Sequence, residues 1–319
     1  MLTAQSDVVV ENLRPGSMCK MGLGQKDMRA IHPKLIWPTI SRFGRNEDYR
    51  GLYSDLPTFD IVAKFMSGIM NLVGFADKPP SWTIYGMADV VYSGQVTAYG
   101  IMQALFMRER TGEGQFVDST MLDNMLTLNE SMIALHSVSG PNPQQGVFKN
   151  LWPRGAYQTK NGYIALNVPD NIIWSRLCEA MGHPELTTDE RASSGLARSK
   201  SIDYFQPILE NWLSTVYCDE AVDILNSVGV PCGPVNDADG EATDPHIKAR
   251  GSIMDIEDSD VGTYGFARSV PMLSSAPELR KDPSPNLGKH SREILEGLFR
   301  ISSDDVTSLA KQKVIQVTN

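Results

Sequence analysis

The first apolar run is short and β-branched. Asp7-Val8-Val9-Val10-Glu11-Asn12 has the pattern of a strand buried on both faces that ends in a polar turn. Leu35-Ile36-Trp37-Pro38-Thr39-Ile40 repeats it, with a helical stretch from Gln25 to His32 between. Strand, helix and strand in that order form the crossover unit of a parallel sheet. Two parallel strands make no stable sheet, so further strands are expected, from the C-terminal part or from units upstream.

From Pro57 to Arg110 the period becomes helical, with Phe59, Ile61, Val62, Phe65, Met66, Ile69 and Met70 at helical spacing before the break at Pro79-Pro80. A long apolar helix is predicted from about Asp89 to Arg110, stopped at Thr111-Gly112-Glu113-Gly114. Residues 116–138 are predicted as another apolar helix, and Gly140 to Gly146 as a linker. Beyond it, 155–159 and 163–168 flank Asn161-Gly162, a strong hairpin signal. Helices are predicted near 171–181, 203–215, 219–228 and 290–298. The expected organisation is an α/β large domain over 1–140, a smaller α+β domain over 150–245, and a linker over 246–319 that returns to the large domain.

Composition narrows the function classes. The 319 residues are 41% apolar and 21% charged, ordinary for a globular protein, and the net charge of −9 argues against a nucleic-acid partner. Cys19, Cys178, Cys218 and Cys232 lie far apart and read as reduced thiols, which points to a cytoplasmic protein. No run approaches the length of a membrane span, and the N-terminus lacks the pattern of a signal peptide. His32, His136, His183, His246 and His290 are scattered without ligand spacing, so no metal site is expected. Asp89 follows Gly86 at a loop-to-helix junction, which fits either a plain N-cap or a carboxylate kept ionised by the helix field.

Several segments carry a resemblance. They are Val10-Glu11-Asn12-Leu13-Arg14-Pro15-Gly16 with Met21-Gly22-Leu23, Ser41-Arg42-Phe43-Gly44, Gly86-Met87-Ala88-Asp89, and Arg110 through Asp118. Downstream come Gly155-Ala156-Tyr157, Gly229 through Val235, Asp244 through Gly251, and Leu287-Gly288-Lys289-His290. In this order they resemble the class III CoA-transferases, the family that includes formyl-CoA transferase and crotonobetainyl-CoA:carnitine CoA-transferase. The resemblance implies a Rossmann-like large domain whose N-terminal part is absent from this chain, plus the smaller α+β domain. It also implies an interlocked homodimer.

By the same resemblance Asp89 is the acyl-accepting carboxylate, and CoA moves between small carboxylic acids through an aspartyl anhydride and thioester. Asn12, Leu13, Arg14 and Lys20 are implied in CoA binding, with Leu56, Pro57, Thr58 and Phe59 along the pantetheine arm. Lys20 stands where relatives often have arginine, and Gly140 to Gly146 stands in for a glycine-rich lid. The implied partners are an acyl-CoA and a small carboxylate acceptor; no cofactor is expected beyond the CoA thioester, which is itself a substrate. Two alternatives accompany this reading. One is an acyl-CoA racemase or epimerase of the same family, where a histidine followed by an acid moves the α-proton. Here Phe59 precedes Asp60, and phenylalanine transfers no proton. The other is a non-catalytic fragment of the fold.

Overall fold

The computed structural model describes residues 2–75, 78–140, 152–275, 277 and 280–318. The chain divides into two compact units, residues 1–149 and 150–319. The linker and lid reading of Gly140 to Gly146 lies outside the described residues beyond Gly140.

In the first unit, strand β1 (Trp37–Ser41) pairs in parallel with β2 (Phe116–Thr120), Trp37 opposite Phe116 and Ser41 opposite Thr120. β1 is buried along almost its whole length, as a central strand must be. On its other side lies the segment from Asp7 to Glu11, joined in parallel through two isolated bridges, Val8 to Ile36 and Glu11 to Thr39. This corrects the expected continuous strand buried on both faces, and the reason is Pro38. Ile36 N–H donates to Asp7 O, and Ile40 N–H to Glu11 O, but Pro38 between them has no N–H to give. The ladder breaks there, and Val10 is left exposed.

The second correction concerns residues 116–138. The missing strand of the sheet comes from Phe116–Thr120, read from the sequence as helix. Helices α5 (Met121–Leu128) and α6 (Glu130–Ser139) begin only after Thr120, whose hydroxyl accepts from Asp123 N–H at 2.9 Å and caps α5. Around the sheet lie α1 (Ser17–Lys20), α2 (Gln25–Ile31), α3 (Asp60–Met66) and the long α4 (Tyr92–Thr111). α4 packs along both β1 and β2. Gly114 lets the chain entering β2 pass against the one entering β1; a Cβ there would sit 2.1 Å from the Leu35 carbonyl oxygen.

The second unit has its own sheet and core. β3 (Arg154–Gln158), β4 (Tyr163–Asn167) and β5 (Cys232–Pro234) form an antiparallel sheet in that order, and β3 and β4 are the expected hairpin. Helices α7 (Asn171–Ala180), α8 (Gly195–Lys200), α9 (Ile202–Leu213) and α10 (Cys218–Ser227) follow β4. Trp152, Trp174 and Phe205 meet in the core, the last two edge-to-face at 5.3 Å. Arg198 is wholly buried there and donates to the carbonyls of Trp152 and Ala192 and to Asn171 Oδ1. Burial pushes its guanidinium below the usual arginine range. Beyond β5 come α11 (Ala238–Thr243), α12 (Pro245–Arg250), the hairpin of β6 (Ile253–Asp258) and β7 (Gly262–Ala267), and the short helices α13 (Ser291–Glu293) and α14 (Ser303–Lys311).

Candidate active site

The carboxyl ends of the first unit's parallel segments meet in one place. Open α/β sheets put ligands there, because chain turns expose backbone donors and leave a crevice. The turn after β1 runs from Arg42 to Asn46 and is fastened from β2. One Asp118 carboxylate oxygen accepts the amides of Arg45 and Asn46, both at 2.8 Å, and Ser41 Oγ accepts from Gly44 N–H at 3.0 Å. The turn after the first segment is held by Glu11, which accepts from Leu13 N–H at 2.9 Å and forms a buried ion pair with Arg45. Arg45 also donates to the Leu13 carbonyl. Glu11 of one quoted motif and Asp118 of another thus converge on Arg45, just past the Ser41–Gly44 motif.

Asp89 arrives from a different direction. Gly86, in the left-handed region at φ 76°, turns the chain into a single π-helical turn, Met87–Val91, that leads into α4. That turn is clamped from α3. Asp60, 3% exposed, accepts from Ala88 N–H at 2.6 Å and from Gly86 N–H at 3.3 Å. Lys64, one helical turn on and fully buried, pairs with Asp60 at 2.6 Å and donates to the Ile84 carbonyl at 2.8 Å. Both Asp60 oxygens are therefore committed to holding the turn.

The result is a cavity of about 180 Å³ lined by Asn12, Leu13, Arg42, Thr58, Phe59 and Asp89, among others. Asp89 caps nothing: its Oδ1 is buried without a hydrogen-bonding partner, as is the Thr58 hydroxyl. A larger cavity of about 360 Å³ adjoins it, sharing Pro15, Arg45 and Ser54 and extending to Cys19, Trp37 and Phe116. Of the positions singled out from the sequence, Asn12, Leu13, Thr58, Phe59 and Asp89 come together in the smaller cavity. Arg14, Lys20, Leu56 and Pro57 line neither; all are exposed. The side chains of Arg14 and Lys20 make no ion pair among the described residues, while Lys26 and Arg50 in the larger cavity are paired with Glu47 and Asp55. Among the described residues no group of three or more metal-ligating side chains occurs.

The family model for CoA-transferase family III matches residues 1–291. The chain belongs to that family. As a family III CoA-transferase it is 32% identical to succinyl-CoA–D-citramalate CoA-transferase of Chloroflexus aurantiacus, over 98% of this chain and 78% of the relative. It is 31% identical to succinyl-CoA:mesaconate CoA-transferase of Haloarcula hispanica, over 95% of this chain and 78% of that one. A crystal structure of a CAIB/BAIF family protein from Brucella suis superposes with a TM-score of 0.80 at 29% identity, covering 93% of this chain and 76% of that one. The CoA-transferase fold is mixed α/β, as the sequence implied. No helix among its described residues is long and apolar enough to cross a membrane.

Sequence reasoning missed Arg42, Arg45 and Lys64. Arg45 and Lys64 act through partners that folding brings close, and Arg42 stood inside a quoted motif without a role. Only Lys64 left a trace, as a charge four residues after Asp60 in an otherwise apolar helix.

Proposed function

We propose that the enzyme transfers CoA from an acyl-CoA to a small carboxylic acid with Asp89 as the covalent carrier. The observation that supports it most is the Asp89 carboxylate itself, which has an unpartnered oxygen in a cavity built from the strand-end turns. Relatives act on succinyl-CoA with D-citramalate or mesaconate, which supports carboxylic acids as donor and acceptor.

In this reading an Asp89 oxygen attacks the thioester carbonyl. The carbon–sulfur bond breaks, CoA leaves as thiolate, and a mixed anhydride remains. The thiolate then attacks the aspartyl carbonyl, the donor acid departs as carboxylate, and Asp89 carries CoA as a thioester. The acceptor carboxylate attacks that thioester and expels thiolate, which then attacks the acceptor's acyl carbon and frees the Asp89 carboxylate. Each step exchanges one acyl bond for another, so no proton donor or redox partner is needed. Asn12, Leu13, Thr58 and Phe59 would surround the acyl thioester, with Leu56 and Pro57, exposed just before Thr58, flanking the pantetheine arm where it leaves the cavity. Arg14 and Lys20, free of carboxylate partners, are the cations for the phosphates; Lys20 offers a point charge where arginine would offer a fork. The racemase alternative loses support, because Phe59 has no proton to move and both Asp60 oxygens are engaged.

Asp89→Ala should abolish transfer while CoA still raises the melting temperature. Wild type incubated with acyl-CoA and hydroxylamine should yield a hydroxamate at Asp89 by mass spectrometry; modification at another residue removes Asp89 from the mechanism. The same reading includes a homodimer in which the 246–319 segment returns to a large domain.

A further inference from the structure

Two arginines line the Asp89 cavity, and they differ in one respect. Arg45 is saturated by the Glu11 carboxylate and the Leu13 carbonyl. Arg42 is half-buried, and its guanidinium makes no hydrogen bond or ion pair among the described residues. A half-buried cation in a cavity wall with no carboxylate partner of its own is free to take its counter-charge from a ligand. Asp89, which lines the same cavity, is its only acidic side chain among the described residues, and the proposed chemistry turns Asp89 into a neutral anhydride or thioester. A substrate bound in this cavity is therefore the available source of an anion for Arg42.

Which anion is decided by size. With a thioester at Asp89, the pantetheine arm has to leave the smaller cavity of about 180 Å³, so the phosphates of CoA lie well outside it. The acyl group stays inside. We infer that Arg42 binds the second carboxylate of a short dicarboxylic acid, so that one end of the acid reacts at Asp89 while the other is held by the guanidinium. The planar fork of arginine suits this, because it pairs both carboxylate oxygens at once and fixes the acid's direction. The inference rests on the transferase reading and adds to it a substrate class and the residue that selects it.

The test uses the whole protein, succinyl-CoA as donor, and two acceptors of equal chain length, glutarate and pentanoate, which differ by a carboxylate against a methyl. Wild type should prefer glutarate, and Arg42→Met should shrink the ratio of the two kcat/KM values by roughly 10- to 100-fold, the scale of a charge-assisted hydrogen-bond pair. Arg42→Lys, which keeps the charge and loses the fork, should fall between and guards against a variant that merely misfolds. An unchanged ratio in both variants overturns the inference. So does weaker binding of free CoA to Arg42→Met by a similar factor, which would make Arg42 a phosphate contact. Wild type that transfers CoA but favours pentanoate overturns the inference and leaves the transferase reading standing. Wild type that transfers to neither acid, nor to any other, sinks both.

Discussion

Four thiols in one chain meet different surroundings. Cys178 is buried in the second unit's core, and burial pushes its thiol up from the ordinary 9.0 to about 12. Cys232 is pushed up to about 11, and Cys218 is raised, both by the same cause. Cys19 is exposed. Because thiolate is the reactive form, a disulfide reagent at about pH 8 should titrate Cys19 first and reach Cys178 only on unfolding. The raised values also set an alkaline limit. The folded state favours the protonated thiols, so their contribution is full below about pH 9 and is lost as the pH climbs toward 12. The second unit should melt lower at about pH 10.5 than at about pH 8, and fluorescence of Trp152 and Trp174 reports it; an equal melting temperature at both would refute the account. Asn12, Leu13, Thr58, Phe59 and Asp89, singled out from local motifs, meet in one cavity, so that much of the candidate site was legible in the sequence. Arg42 was not, because its meaning lies in the absence of a partner, and partners are set by folding.

At the scale of elements, the turn that carries Asp89 is held from α3 as well as by Ser93 of its own helix, whose hydroxyl donates to the Ala88 carbonyl. Asp60→Ala should lower kcat by about 100-fold with little change in the KM for acyl-CoA, since a shift of about an ångström in a reacting group has that effect. It should also destabilise the first unit by about 3–5 kcal/mol, because Lys64 would keep a buried charge alone. Adding Lys64→Met should restore much of the stability and none of the turnover. Recovery of both together would mean that the pair serves folding only. Elements with a strong period or a strong turn signal were legible: α4, the β3–β4 hairpin, and α2 between two parallel segments. The two that were misread are both strands of the parallel sheet. Phe116–Thr120 is too short to show a period of its own and runs directly into a helix. The first segment's β-branched pattern was sound, but its pairing depends on Pro38, nearly thirty residues away in its neighbour.

For the whole molecule, the homodimer is the part of the reading that the resemblance alone supplies. The physical support is apolar exposure: Tyr99, Met102 and Phe106 on α4 are each more than half exposed in the single chain. Sedimentation equilibrium should give twice the mass of one 35.2 kDa chain, and a monomer at micromolar concentration would set the interlocked arrangement aside. A last consequence concerns Pro38. The segment that ends in Asn12 and Leu13 hangs from β1 by only four backbone hydrogen bonds, with a gap in the middle that no rearrangement of the proline can fill. With side-chain ties at Glu11 to Arg45 and Asp7 to Arg108 as its other anchors, this seam should part more readily than that between β1 and β2. Amide exchange at Val9 and Glu11 should outrun that at Trp37. A substrate as long as an acyl-CoA needs a way in and out past Asp89, and a hinge written into the ladder as a missing proton donor would let the entrance breathe without loosening the floor.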